Sequence, residues 1–424
     1  MIESNVEKRL SDGQTGIQSK IKEIQAKKQW QCADMPDRIY TGNRNMKVAL
    51  VHDWLKETGE NEKILEMFCS IFPYAPIYTL FYEPALVSEK FHHRKIHASV
   101  LQQFLFTKDY HQMYLPLYPW AIEKFDLSGY DLVISTSQCA AKGVRIPGGT
   151  THVCYCLSPM LYVWDKYDLY FGRRSRYSPL RLGMDSFRSR LREWDRRTAD
   201  RVDYFIAPSQ YVAKRIKQYY NRDSEVIPPP VDTDFFFPAF TESKRKDGLD
   251  VVGDYFLISS ELVDHKNIDI AVEAFRNRPE RLLVVGSGPE EKRLKHMAPE
   301  NVQLLGSLSD QELSWLYQNC RAFIVTSEED FGIVGLEAMS CGRPVITYYR
   351  GGVTETIEEG RTGMFFYDQS PESLSRALDK FEKTDMDPEE IHNHALNFSI
   401  QACFRKIKNF LQEKVGQNTF QASA

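Results

Sequence analysis

AFIVTSEEDFGIVGLEAMSCGRPVIT, residues 322–347, decides how this chain is read. It opens on a short apolar run, Ala322–Val325, and closes on another, Val345–Thr347. Between them, Ile333–Ser340 reads as a helix. A short apolar run bounded by polar turn residues is how a buried parallel strand looks in sequence. Strand, helix and strand in that order make the repeating unit of a parallel α/β sheet.

The same alternation extends outward. Upstream, strands are predicted at Phe256–Ser259, Leu282–Val285 and Val302–Leu305, with helices at Asn267–Arg276 and Asp310–Asn319. Ser309, Asp310 and Glu312 give the second helix a strong start signal. Further upstream, MKVALVHDW from Met46 reads as another opening strand, followed by a helical face of Ile64, Leu65, Phe68 and Phe72. Strands are then predicted at Ile77–Phe81, Leu132–Ser135, Val153–Cys156 and Tyr204–Ala207. VIPPPVDTDFF, from Val226, interrupts the alternation. Three consecutive prolines continue neither a helix nor a central strand, so this is a stiff connection between domains. The expectation is α/β: two doubly wound Rossmann-like domains facing across a cleft. The segments are a polar extension (1–45), an N-terminal domain (46–227), a C-terminal domain (228–395) and a helical tail (396–424) whose helices cross back to the N-terminal domain. Leu374, Leu378 and Phe381, then Phe404, Ile407 and Leu411, carry the helical period at the end of the chain. Within the extension, Ile17 to Trp30 reads either as a weakly amphipathic helix or as loosely ordered chain.

Composition narrows the partners. The chain has 424 residues, 42% hydrophobic and 26% charged, with net charge −4. The length suits two or three domains at roughly 150 residues each. The mild negative charge argues against a generic nucleic-acid binder. No window approaches the ~18 unbroken apolar residues of a membrane span, and MIESNVEKRL lacks the pattern of a secretory signal. Eight cysteines without a CxxC pair read as reduced thiols, so a cytoplasmic location is expected. His92 and His93 have no partners at metal spacing, and no metal is assigned.

Glu329 and Glu337 flank the loop and first turns after the strand Ala322–Val325. Two acids at that separation reach opposite ends of an elongated ligand. Gly332 lets backbone approach closely, and a helix N-terminus offers free N–H groups to an anion. Taken alone, the pair also reads as a helix-start acid and a solvated face residue. Gly286-Ser287-Gly288 after a strand is a weak dinucleotide signal and reads first as a turn. His52 and Asp53 lie at a strand's carboxyl end, where a cleft role and structural capping are equally open. Between Phe171 and Arg201 lie ten arginines. They form either a face salt-bridged to Asp185, Glu193, Asp195 and Asp200 or a patch (173–201) for peripheral contact with anionic lipid headgroups at the cytoplasmic membrane face.

FLISSELVDHKNIDIAVEAF, LLVVGSGPEEKRL, NVQLLGSLSDQELSWLY and AFIVTSEEDFGIVGLEAMSCGRPVITYYRGGVTETI together resemble the donor-binding domain of glycosyltransferase family 4. VALVHDWL, YDLVISTS, HVCYCLSPMLYVWD and WDRRTADRVDYFIAPSQYVAKRI agree on the N-terminal side, over roughly Met46 to Phe381. The resemblance is to retaining GT-B enzymes, nearest to bacterial polysaccharide mannosyltransferases. It implies transfer of a hexose, mannose being the candidate, from a nucleotide diphosphate sugar to a glycan or lipid-linked acceptor. It implies no cofactor and no required metal. By the same resemblance Glu329 lies beside the sugar, Glu337 holds the ribose and Lys266 neutralises the diphosphate. Backbone N–H groups near Phe331, Gly332 and Ile333 touch sugar or phosphate.

Four residues at three places depart from that pattern. Glu60 and Asn61 stand where the family carries a glycine pair. Leu157 stands where it carries a sugar-contacting histidine. Glu261 stands where it carries an arginine paired with the lysine. At ~4 Å and an effective dielectric near 20, one unit charge pair is on the order of 4 kcal/mol, so an Arg-to-Glu change at a phosphate is a large swing. The departures favour a second reading, a catalytically degenerate GT-B protein serving as a binding or partner subunit. Two narrower alternatives are another GT-B chemistry such as epimerisation, and Mg2+ held by Glu60 and Glu261 against the diphosphate. If these positions limit the site, Leu157→His with Glu261→Arg raises activity or donor affinity. Unchanged kinetics in the double variant would refute that account.

Overall fold

Strands that are apolar throughout need cover on both faces, and helices between parallel strands supply it. The computed structural model describes residues 46–56, 60–103, 111–165, 167, 179–238 and 254–421. The extension 1–45, with the segment Ile17 to Trp30, lies outside the described residues.

The first sheet has seven parallel strands in the order β3-β2-β1-β4-β5-β6-β7. They are β1 (Val48–His52), β2 (Ile77–Thr79), β3 (Ile96–Ala98), β4 (Leu132–Ser137), β5 (Thr151–Cys156), β6 (Tyr204–Ala207) and β7 (Ser224–Val226). The second sheet has six, in the order β10-β9-β8-β11-β12-β13. They are β8 (Tyr255–Ser259), β9 (Arg281–Val285), β10 (Val302–Gly306), β11 (Phe323–Val325), β12 (Val345–Tyr348) and β13 (Gly363–Phe366). Each order reverses once, between β1 and β4 and between β8 and β11. Ligands of open α/β sheets bind outside the carboxyl ends of the strands at such a reversal.

Both sheets are as the alternation predicts. The strands left unassigned by sequence are β3, β7 and β13, which are sheet edges, and β3 and β7 are only partly buried. Edge strands are short and need no apolar run. The helix expected over 267–276 forms only over Ile268–Ala274. Asn267 takes a left-handed φ of 50° at its start and Phe275 caps its end. The last helix, Ile400–Gln421, crosses back to the first sheet, as expected. Cys403, Ile407 and Leu411 are buried there, and the Phe410 ring meets the Tyr204 ring of β6 edge-on at 6.2 Å. The chain therefore passes between the sheets twice. Val231 N–H donates to the Phe398 carbonyl at 2.9 Å, and Ile400 N–H donates to the Val231 carbonyl at 3.1 Å.

Cys69, Cys139, Cys154, Cys156, Cys320, Cys341 and Cys403 are all buried free thiols. Burial pushes the Cys69 thiol up to about 12, so it packs as a small apolar group. No helix among the described residues is long and apolar enough to cross a membrane.

His152 in β5 is fully buried and forms hydrogen bonds with Ser135 Oγ at 2.8 Å and the Arg201 carbonyl at 3.0 Å. Burial lowers its pKa from the ordinary 6.5 to about 4. The unfolded chain therefore gains a proton below pH 6.5 that the folded chain refuses, and stability falls with pH over that window. From pH 7 to pH 5 this residue alone should cost about 2 kcal/mol. Urea unfolding at the two pH values checks it, and the drop should shrink by that amount in His152→Gln.

Candidate functional site

The carboxyl ends of β8 and β11 flank the reversal of the second sheet. After β8 the chain runs through Ser260, Glu261 and His265 to Lys266. After β11 it runs through Thr326 and Ser327 to Glu329 and Asp330. The two loops meet. Lys266 Nζ lies 2.7 Å from Glu329 Oε1, which also accepts a hydrogen bond from the Ser327 hydroxyl. Thr326 Oγ1 donates to the Lys266 carbonyl at 2.6 Å, so the lysine loop is tied to β11 by backbone as well.

This pair faces a cleft of about 540 Å³. The second sheet contributes Glu261, Lys266, Ser327 and Glu329 to its walls. Asn61, Glu62, Gln138, Leu157 and Ser158 line it from the first sheet. Asn61 Nδ2 donates to Gln138 Oε1 at 2.9 Å. Ser158 Oγ is buried without a hydrogen-bond partner. Leu157 presents an apolar side chain, while its N–H donates to the Ser137 carbonyl at 2.8 Å. Glu261 is exposed at the rim of the same cleft. Glu60 is the first residue of the helix Glu60–Ile71, and its side chain lies outside the described residues.

Glu337 sits differently from Glu329. It lies in the helix Ile333–Ser340, its side chain is only 5% exposed, and its Oε1 accepts a hydrogen bond from Lys63 Nζ of the first sheet's domain. Its Oε2 accepts one from the Tyr317 hydroxyl at 3.4 Å. Glu337 therefore lies one turn along the helix whose first residues, Ile333 and Val334, line the cleft. Phe331 and Ile333 are core residues at 5% and 3% exposure, so what they offer a ligand is mainly backbone. Gly332 holds φ 88° at the start of the helix, a conformation L-residues rarely adopt.

Glycines hold the Glu329 loop in place. A Cβ on Gly351, whose φ is 83°, would lie 2.2 Å from the Glu329 carbonyl oxygen, and one on Gly352 would lie 2.1 Å from that of Asp330. Gly352 N–H donates to the Glu329 carbonyl at 2.8 Å. The Gly286-Ser287-Gly288 turn does the same for the lysine loop. A Cβ on Gly286 would lie 1.9 Å from the Ser260 carbonyl oxygen, and Leu262 N–H donates to the Ser287 carbonyl at 2.9 Å.

The domains are joined beside Glu329. Arg215 of the helix Gln210–Tyr220 reaches Asp330 Oδ1 at 2.7 Å and, through Nε, Asp165 Oδ2 at 2.9 Å. Burial works against the guanidinium charge, but Asp330 and Asp165 override it and push its pKa up. Ser209 Oγ donates to the Asp330 carbonyl at 2.7 Å. Glu355 accepts from the N–H groups of Gln210 and Tyr211 at the helix start, both at 2.8 Å. This joint was missed by sequence reading. All its members lay in segments that carry the resemblance, but those segments are far apart in sequence and nothing in them announced the pairing.

Asp53 proves to be structural. It is fully buried and accepts four backbone N–H bonds, from Gln138, Cys139, Ala140 and Ala141, at 2.6–2.9 Å. Burial nonetheless holds its carboxyl above the usual range, against those donors. His52 Nδ1 bonds Thr136 Oγ1 at 2.6 Å. The arginine-rich segment is only partly the salt-bridged face that helical spacing allowed. Arg196 pairs with Glu193 at 3.0 Å, but Arg192 donates to the Val163 carbonyl at 2.6 Å and Arg201 pairs with Glu123 at 2.9 Å. Asp195 is taken by the buried Lys142 at 2.8 Å. The reason is that the helix Pro179–Thr198 turns its inner face to Val163, Trp164 and Lys142. Arg173, Arg174 and Arg176 lie outside the described residues. Among the described residues, no three His, Cys, Asp or Glu side chains converge to hold a metal ion.

Two family models match the chain. Glycosyltransferase Family 4 matches residues 77–235, and Glycosyl transferases group 1 matches residues 239–398. A GDP-mannose-dependent phosphatidylinositol monomannoside mannosyltransferase of Corynebacterium glutamicum is 31% identical over 205 residues, covering 43% of this chain and 54% of the relative. Human alpha-1,3/1,6-mannosyltransferase ALG2 is 30% identical over 232 residues, covering 46% and 55%. The chain spans about half the length of the curated relatives it matches. Among solved structures, Anabaena HepE in complex with UDP and glucose superposes with a TM-score of 0.64 at 20% identity, covering 87% of this chain and 100% of HepE. Sucrose-phosphate synthase of Thermosynechococcus elongatus gives 0.63 at 17% identity, covering 87% and 99%.

The close approach at Gly351 makes a local prediction. Gly351→Ala should lower stability by about 2–4 kcal/mol and abolish ligand binding at Glu329. Gly360→Ala, at φ 80° with nothing within 4 Å of the added Cβ, should cost only about 1–2 kcal/mol of backbone strain and leave binding intact. Denaturant melts and calorimetry on both variants check this.

Proposed function

Because this chain belongs to glycosyltransferase family 4 and has the GT-B fold, we propose that it transfers a hexose, with mannose the leading candidate, from a nucleotide diphosphate sugar to a glycan or lipid-linked acceptor. One observation carries the reading. Lys266 and Glu329 meet at 2.7 Å at the strand-order reversal of the second sheet, facing the other domain across the cleft. That is where an open parallel sheet takes a ligand.

The chemistry asks for two things. The leaving diphosphate needs its growing charge stabilised, and C1 needs help as it becomes cationic. Lys266 serves the first as a charge-assisted donor, together with the N–H groups at the start of the helix Ile333–Ser340. Glu329 serves the second by holding the sugar hydroxyls and placing a carboxylate near the anomeric centre. Without donor the two groups pair with each other, so both are aimed before the substrate arrives. Glu337 takes the ribose hydroxyls. Transfer proceeds with retention by front-face attack, the leaving phosphate receiving the acceptor's proton. Asn61, Gln138 and Ser158 line the opposite wall with neutral hydrogen-bonding groups that suit a sugar acceptor.

A second reading keeps the fold and loses transfer, leaving a binding or partner subunit. It is favoured by the exposed Glu261 carboxylate and the apolar Leu157 in the cleft. Calorimetry with GDP- and UDP-sugars, with and without Mg2+, alongside a donor-hydrolysis assay, separates the two. Transfer predicts binding with turnover. Glu329→Gln should then cut turnover by about 100-fold or more, and Lys266→Ala should weaken donor binding about tenfold. Tight binding without turnover selects the subunit reading, and absence of nucleotide-sugar binding rejects transfer.

A further inference from the structure

The donor site as built from the second sheet is short of positive charge. Lys266 is matched by Glu329, and Glu261 adds a carboxylate at the rim. A diphosphate brings several negative charges into that corner, where opposing charge must come from somewhere.

The first domain holds such a charge, on Lys63, beside the cleft, since Asn61 and Glu62 just before it line the wall, as do Ile333 and Val334 of the helix opposite. Lys63, in the first turn of the helix Glu60–Ile71, donates from Nζ to Glu337 Oε1 in the opposite domain. The partners lie 274 residues apart in sequence. Their environments are unequal: the Glu337 side chain is 5% exposed and that of Lys63 is 37%. The carboxylate is held in the protein, while the ammonium sits on a flexible stem with solvent on one side. Lys142 is a useful contrast. It is 1% exposed, paired with Asp195 and packed over the Tyr220 ring at 4.6 Å, and has nowhere to go.

We propose that Lys63 is the second cation of the donor site. Glu337 holds it in reserve until ribose hydroxyls occupy that carboxylate, and the released ammonium then pairs with the diphosphate. A lysine suits this task, being a compact point charge with three donors on a long rotatable stem. The arrangement lets the neighbouring domain supply a charge that Glu261 does not. The inference rests on the nucleotide-sugar reading above.

Calorimetry with UDP and UMP, and with GDP and GMP, on the full chain and its variants tests it. Lys63→Gln should weaken the diphosphates about tenfold and the monophosphates less than threefold. Lys63→Arg should recover most of the loss, and added salt should narrow the difference between wild type and Lys63→Gln. Equal or tighter diphosphate binding by Lys63→Gln would make Lys63 a lock on Glu337 and overturn the proposal. An equal loss for mono- and diphosphates would also overturn it, since it would place the effect at the ribose. If wild type binds no nucleotide at all, the donor-site reading fails first and this proposal with it.

Discussion

The Arg215 guanidinium, clamped between Asp165 and Asp330, sets the geometry of the cleft. Asp330 follows Glu329 directly, so the residue that joins the domains is bonded to a residue that faces the cleft. The guanidinium is buried, while the two carboxylates that flank it are partly exposed. Removing one partner of such an ion pair leaves an uncompensated charge, which is why buried pairs define position more than they add stability. Glu355 at the start of the same helix adds a charge favourable to its dipole. The width of the cleft at Glu329 therefore follows from a local bond.

The two sheets share a strand order but use their reversal points differently. In the first sheet the Asp53 carboxylate fills the crevice between β1 and β4 by accepting four N–H bonds from residues 138–141. Those are donors that an anionic ligand would otherwise take. In the second sheet the crevice between β8 and β11 carries Lys266 and Glu329 and stays open to the cleft. One domain thus spends its carboxylate on its own turn, and the other sets a lysine–carboxylate pair on the cleft wall. This asymmetry, more than the fold, supports the proposal that the second domain is the nucleotide side.

Most of the architecture was legible because it depends on local pattern. The apolar runs of β8, β9 and β12 are continuous, and the spacing from Glu329 to Glu337 lies on one strand–loop–helix unit. The edge strands β3 and β7 were not legible, since a half-exposed edge needs no apolar signature. The roles of Asp53 and of the Gly286-Ser287-Gly288 turn needed coordinates, because both residues answer to backbone groups of other loops. Lys63 and Arg215 were hidden for a simpler reason. Their partners are 274 and 115 residues away, and no periodicity spans that distance.

Val231 pairs with the 398–400 segment where the polypeptide crosses between the domains for the first and second time. Two strands tied side by side resist twisting about their common axis far more than they resist bending across it. Any opening of the molecule is therefore steered toward a swing in one plane, with the far lips of the mouth travelling furthest. A crossing made once would leave the halves free to roll past each other. Here the doubled crossing ties the two walls at a shared point, so that the same side chains would meet again after such a swing.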